Sequence, residues 1–222
     1  GLGLNVQEMV DHVERELRNT SIETHIVRWL NMATIDISTG YVIGALHKYS
    51  SKGTVEGIPD IQLESDLLWL KTVEIPSQTR KLWPEDESRL AEDYPNYRTT
   101  KGTITGYYLN GILMGLWQVP SGSYPVTYSY QKRPAKLVSL ADISELPPEW
   151  HLLIVQKAIS YGYSSDGNTE GYDRSLVKEK ILIKQLGSNA HKRLDETLVL
   201  GKPASRGRLP RPRLPSNYPK AR

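Results

Sequence analysis

Cysteine is absent from the 222 residues. The chain therefore has no disulfide framework and no thiolate chemistry, which agrees with a reducing compartment. No apolar run approaches the roughly 18 residues that suggest a membrane helix. The opening "GLGLNVQEMVDHVEREL" has no cationic segment ahead of an apolar one, so neither a signal peptide nor a membrane span is expected, and the reading is a soluble, cytosolic product. Asn19-Thr20-Ser21 has the spacing of a glycosylation sequon but reads as helix-capping residues.

Catalytic signatures are missing too. The sequence has no Walker-type phosphate loop, no HExxH and no GxSxG. His12, His25, His47, His151 and His191 stand singly, with no i, i+4 pair to build a helix-borne metal site, and each reads as a surface or satisfied core histidine. "DGNTEGYDRSLV" sets Asp166, Asn168, Glu170 and Gly171 at the first, third, fifth and sixth places of a calcium loop. Val177 takes the twelfth place, where a bidentate carboxylate belongs. Glu85, Asp86 and Glu87 are adjacent and do not converge on one point, so they read as a solvated helix start at Pro84. The expectation is no catalytic residue, no metal and no cofactor: not an enzyme.

The last absence is local. Residues 202–222 hold no carboxylate, five prolines and seven cations: Lys202, Arg206, Arg208, Arg211, Arg213, Lys220 and Arg222. Such a segment can neither form a helix nor neutralise itself. Setting those seven aside leaves 21 Lys and Arg against 25 Asp and Glu in residues 1–201, a formal charge of −4 beneath the whole-chain +3. The protein is an acidic body with a basic arm, and the arm needs an outside partner.

The body has enough Leu, Ile, Val, Trp and Tyr to bury a core. Val6, Met9, Val10, Val13 and Leu17 recur at helical spacing after an Asn5/Glu8 capping pair. Thr20 and Glu23 repeat the capping spacing ahead of Ile22, Ile26, Trp29, Leu30, Ala33 and Ile37, and the short link "RNTS" makes an antiparallel helix pair over residues 1–43. Residues 44–60, "GALHKYSSKGTVEGIPD", read as an exposed loop.

A β-rich module follows to residue 136. Its clearest signal is "TITGYYLNGILMGLWQVP", with Asn110-Gly111 as a type I′ hairpin turn. "YPVTYSYQKRP" alternates Val126, Tyr128 and Tyr130 on a core face with Thr127 and Ser129 on a wet one. Tyr107, Tyr108, Tyr124, Tyr128 and Tyr130 read as sheet packing rather than stacking platforms for single strands. Residues 137–201 return to helices. Trp150, Leu153, Ile154, Lys157, Ala158 and Tyr161 mark one stripe; Tyr172, Leu176, Ile183, Leu186, Ala190 and Leu194 mark a second, interrupted by Gly187. The fold class is α+β: a helical bundle from both chain ends, a central β-rich module and the extended arm of 202–222.

The helix pair with "IVRWLNMATIDI", the strands of "GYYLNGILMGLWQVPSGSYPVTYSYQKRP" and the run "LVSLADISELPPEWHLLIVQKAISYGY" together resemble the adaptor proteins of tailed bacteriophages, including the tail tubular protein A type of short-tailed phages. The likeness spans about residues 4 to 198 in element order and is sharpest from Tyr107 to Tyr163. It implies a ring, usually of twelve copies, that joins the portal protein to a tail or nozzle protein around an axial DNA channel. It also implies a C-terminal segment that reaches along the portal, and a place in the virion at the head-tail junction after assembly in the bacterial host cytoplasm.

On that reading Arg206, Arg208, Leu209, Arg211, Arg213, Leu214 and Tyr218 are the candidate contacts to the portal or a neighbouring subunit. At about 3.1 Å per residue an extended Pro-rich arm of this length reaches on the order of 65 Å. A non-specific nucleic-acid-binding protein gripping phosphates with the arm is the alternative, against which the acidic body speaks. A signalling adaptor presenting "PRLP" is disfavoured because Leu209 and Asn217 stand where an orienting basic residue belongs.

Overall fold

The computed structural model describes residues 3–18, 23–78 and 80–187. Five helices occur among them: α1 (Val6–Leu17), α2 (Glu23–Gly40), α3 (Glu87–Asp93), α4 (His151–Ser165) and α5 (Thr169–Leu186). The strands are β1 (His47–Gly53), β2 (Asp60–Gln62), β3 (Leu67–Ile75), β4 (Arg80–Lys81), β5 (Trp83–Pro84), β6 (Lys101–Gly102), β7 (Gly106–Asn110), β8 (Leu113–Trp117), β9 (Val119–Pro120) and β10 (Pro125–Lys132). The architecture is α+β, in two compact units: a helical unit from residues 3–46 with 133–187, and a β unit from residues 47–132.

In the helical unit, α1 starts as its sequence dictates. The Asn5 side chain accepts from the Glu8 backbone N–H and Glu8 accepts from that of Asn5, each at 2.8 Å. Two more N–H groups that a helix start leaves without internal partners go to the later chain: Val6 N–H donates to the Asp142 carbonyl and Gln7 N–H to that of Leu140, both at 2.9 Å. Val6, Met9, Val10 and Val13 then meet Ile26, Leu30, Ala33 and Ile37 of α2 and Leu153, Ile154 and Ala158 of α4 in one core. Trp150 lies in the same core with its ring centroid 5.3 Å from that of Tyr41. Gly162 permits the close approach of α4, since a Cβ there would fall 2.4 Å from a Leu17 methyl. The Thr20 capping site, Ile22 and the sequon lie outside the described residues.

The β unit holds two four-stranded sheets, ordered β1-β10-β3-β4 and β2-β8-β7-β5, and a small pair, β6-β9. The two larger sheets share a core that includes Leu70, Val73, Val126, Tyr128 and Tyr130 from one and Ile61, Tyr107, Met114 and Leu116 from the other. Period-two alternation sends Tyr108 to the opposite side of β7, into a cluster with Trp117 and Leu90 of α3. Gly115 stands directly across the ladder from Tyr108, and a Cβ there would lie 2.1 Å from the ring. The tyrosines are packing residues, as expected.

Four local expectations are corrected. Residues 44–60 are not a loop: after a 3₁₀ turn at Gly44–Leu46, β1 pairs along its length with β10, from His47↔Gln131 to Gly53↔Pro125. Its Lys and Ser side chains give no apolar alternation to read, because it is the edge strand of its sheet. The hairpin turn is Gly111-Ile112 rather than Asn110-Gly111: Asn110 pairs with Leu113, and only Gly111 has positive φ, +60°. That is the type II′ requirement, not the I′ one. The acidic helix starts at Glu87 with Asp86 as its cap, while Pro84 belongs to β5. Lastly, both faces of β10 are covered at its end, for Ser129 and Gln131 are buried; Ser129 bonds Thr72 across the ladder at 2.6 Å, and Gln131 stands opposite the buried Trp69.

Candidate interaction surfaces

The arm residues Arg206, Arg208, Leu209, Arg211, Arg213, Leu214 and Tyr218 lie outside the described residues, as do His191, Ala190 and Leu194. Other singled-out residues have structural places. His151 is a core histidine: Nδ1 accepts from the Leu4 N–H and Nε2 donates to the Leu146 carbonyl, both at 2.9 Å. His12 and His25 are exposed. His47 is held below the usual imidazole range by burial and by the neighbouring Lys71 charge. Asn168 of the calcium-like stretch caps α5, accepting from Gly171 N–H at 2.8 Å. Glu85, half-buried, is pushed up by burial against the opposing pull of Arg89.

Where β1 meets the 64–66 turn, charges knit the β unit. Lys48 reaches Asp66 at 2.8 Å and Lys52 reaches Glu64 at 3.0 Å, while Ser50 bonds Glu64 at 2.5 Å. Hydrogen bonding from Ser50 and then the Lys52 charge hold the Glu64 carboxyl low, outweighing burial. Burial pushes Asp66 up, but Lys48 and the Tyr130 hydroxyl together bring it below the ordinary range.

Helix α5 packs Leu182, Ile183 and Leu186 against the helical core and meets α4 through polar groups as well. Its buried residues are Gly171, Ser175 and Glu179. Gln156 Nε2 donates to Ser175 Oγ at 2.6 Å, Ser160 Oγ lies 2.6 Å from Ser175 Oγ, and Ser160 also bonds Glu179. Lys157 stands 3.6 Å from the other Glu179 oxygen. The sequence carried a signal for this seam in two i, i+4 polar pairs, Gln156/Ser160 and Ser175/Glu179, which a search for apolar stripes passes over. On its outer side α5 exposes Val177 and Ile181.

The helical unit also has an open groove of about 960 Å³ between α2 and the segment 133–140. Asn31 builds it, its amide donating to the Leu137 carbonyl at 2.9 Å and accepting from the Leu137 N–H at 2.8 Å, so the loop is tied to the helix like a short ladder. Met32, Ile35 and Val138 give the groove apolar surface; Arg28, Arg133 and Lys136 stand along it, and among the described residues none of these three cations has an ion-pair partner. Its one carboxylate, Asp36, accepts from the Tyr161 hydroxyl. Burial and that carboxylate push Tyr161 up.

Among the described residues no three His, Asp or Glu side chains are grouped to hold a metal ion, and no helix is long and apolar enough to cross a membrane. The molecule is an α+β protein with a helical unit made from two separated stretches of chain and a β unit made from the sequence between those stretches. The sequence model of the SU10 adaptor protein family matches residues 4–195, and the chain belongs to that family. It is a phage structural adaptor and a virion component. Among curated proteins the chain finds no match.

Proposed function

We propose that this adaptor forms a ring, of twelve copies by its likeness to the tail tubular protein A type, that docks on the portal protein and joins it to a tail or nozzle protein around the DNA channel. Family membership over residues 4–195 is the observation that carries the reading. The helical unit faces the portal clip, and the β unit stands toward the tail or to the side. The protein performs no catalysis and holds no cofactor. Viral DNA passes without sequence readout, since no helix stripe carries clustered Arg or Asn to enter a major groove.

The arm of 202–222 is the attachment device. Its arginines supply planar forks for carboxylates of the portal or a neighbour, and its prolines lower the entropy lost on docking. Deleting 202–222 takes no amphipathic stripe from either helix pair and should leave the body folded. It should abolish co-sedimentation with portal particles. Changing Arg206, Arg208, Arg211 and Arg213 to Gln should weaken attachment less, because Leu209, Leu214 and Tyr218 still pack. Truncated protein that joins portals as well as the full chain, or preparations with portal that show no rings by negative-stain microscopy, would overturn this reading.

A further inference from the structure

The groove along α2 is chemically specific. An apolar surface of Met32, Ile35 and Val138 beside three cations without an ion-pair partner among the described residues calls for an occupant that brings one apolar anchor and several carboxylates. At about 960 Å³ it holds more than one side chain and suits a short stretch of polypeptide. The chain's own arm is a poor occupant, since its seven cations would face Arg28, Arg133 and Lys136 and it has no carboxylate to offer.

The segment from Trp83 through α3 has what the groove lacks. Trp29, Trp69, Trp117 and Trp150 are buried, whereas Trp83 is 53% exposed. Exposed tryptophan is costly to leave in water, and buried tryptophan ranks among the strongest anchors of protein interfaces. Residues 83–93 carry five carboxylates and one arginine, with Glu92 and Asp93 exposed. Asp86 and Glu87 have local roles, in the helix cap and in pairing with Arg98. Glu92 and Asp93 are the groups open to a partner, Asp93 through a long, exposed 3.6 Å pair with Arg89.

We infer that the groove between α2 and residues 133–140 receives the Trp83–Asp93 segment of a second copy of this chain. The two patches differ, so the contact is heterologous: each copy gives its segment to one neighbour and its groove to the other, the geometry a cyclic ring requires. This rests on the ring reading above and names the surfaces that would close the ring. Because exposed charges steer the approach, assembly weakens as salt rises.

The lack of cysteine makes the test direct. Full-length Met32→Cys and Ser88→Cys variants, which keep the Trp83 anchor, are treated with a short bifunctional maleimide, separately and mixed, alone and with portal particles. A covalent dimer should appear in the mixture and in neither variant alone. Reversing the rim with Arg28→Glu, Arg133→Glu and Lys136→Glu, or the segment with Glu92→Lys and Asp93→Lys, should each lower ring assembly about tenfold, and combining both sets should restore it. Circular dichroism confirms that each variant folds. Rings that form with no cross-link between positions 32 and 88, or that ignore rim reversal, overturn the inference and leave the ring reading standing. A cross-link of Met32→Cys to itself overturns it in favour of a symmetric contact. Absence of rings under all conditions removes the ring reading, and the inference with it.

Discussion

Helix α4 meets its neighbours in two different chemistries. Toward α1 and α2 it turns Leu153, Ile154, Ala158 and Gly162; toward α5 it turns Gln156, Lys157 and Ser160. The first seam is held by buried apolar area, which is strong but non-directional. The second adds to the packing of Leu182, Ile183 and Leu186 a set of hydrogen bonds and a buried carboxylate, which satisfy one another in a single register and leave groups unpaired in any other. The difference separates two jobs: the α1–α2–α4 contact supplies stability, and the α4–α5 contact fixes where α5 sits.

The largest break comes from the apolar side. Trp150→Ala should cost about 4 kcal/mol of unfolding free energy, the typical loss for removing a buried aromatic, read from denaturant midpoints. Next comes the polar seam. Glu179→Ala strands Lys157, takes one partner from Ser160 and should cost about 3 kcal/mol, but the double replacement Lys157→Met with Glu179→Leu should return stability to within about 1 kcal/mol of the parent. Under the division of labour above, the double variant keeps its melting temperature and loses slow hydrogen exchange in residues 169–186. Slow exchange preserved there would show that apolar packing alone positions α5.

The smallest effect lies in the β unit and sharpens the contrast from outside the helices. Glu64 and Asp66 titrate below their ordinary values in the folded protein. Their stabilisation is therefore complete above the ordinary carboxylate range and is lost as pH falls through the lowered folded values. Acid should loosen the β1 edge first. Exchange rates in residues 47–53 should rise below about pH 4, and Lys48→Met with Lys52→Met should flatten that dependence.

Legibility in the sequence followed from which interactions were local or periodic. The α1 cap is spelled out within four residues, Asn5 to Glu8, and its stripe at Val6, Met9, Val10 and Val13 is the buried face. The tyrosines of β7 and β10 were legible as packing residues because strand alternation is also local. Strand β1 was not, for its partner begins more than seventy residues later and its side chains are tethered by charge rather than burial. The hairpin was found but its turn was displaced by one residue, since Asn-Gly and Gly-Ile share the same glycine and only the register distinguishes them. The α4–α5 seam was hidden by being polar. The groove exists only once Asn31 has captured Leu137 across more than a hundred residues.

That the helical core is assembled from two distant stretches has a consequence for synthesis. Ala33 and Ile37 leave the ribosome well over a hundred residues before Leu153 and Ala158. At roughly 5–20 residues per second, the stripe of α1 and α2 waits on the order of ten seconds for α4. Residues 47–132 contain every described strand of their own core and can fold inside that interval. The nascent chain thus completes its middle before its beginning, and the first helices are the part most in need of a chaperone's cover while they wait.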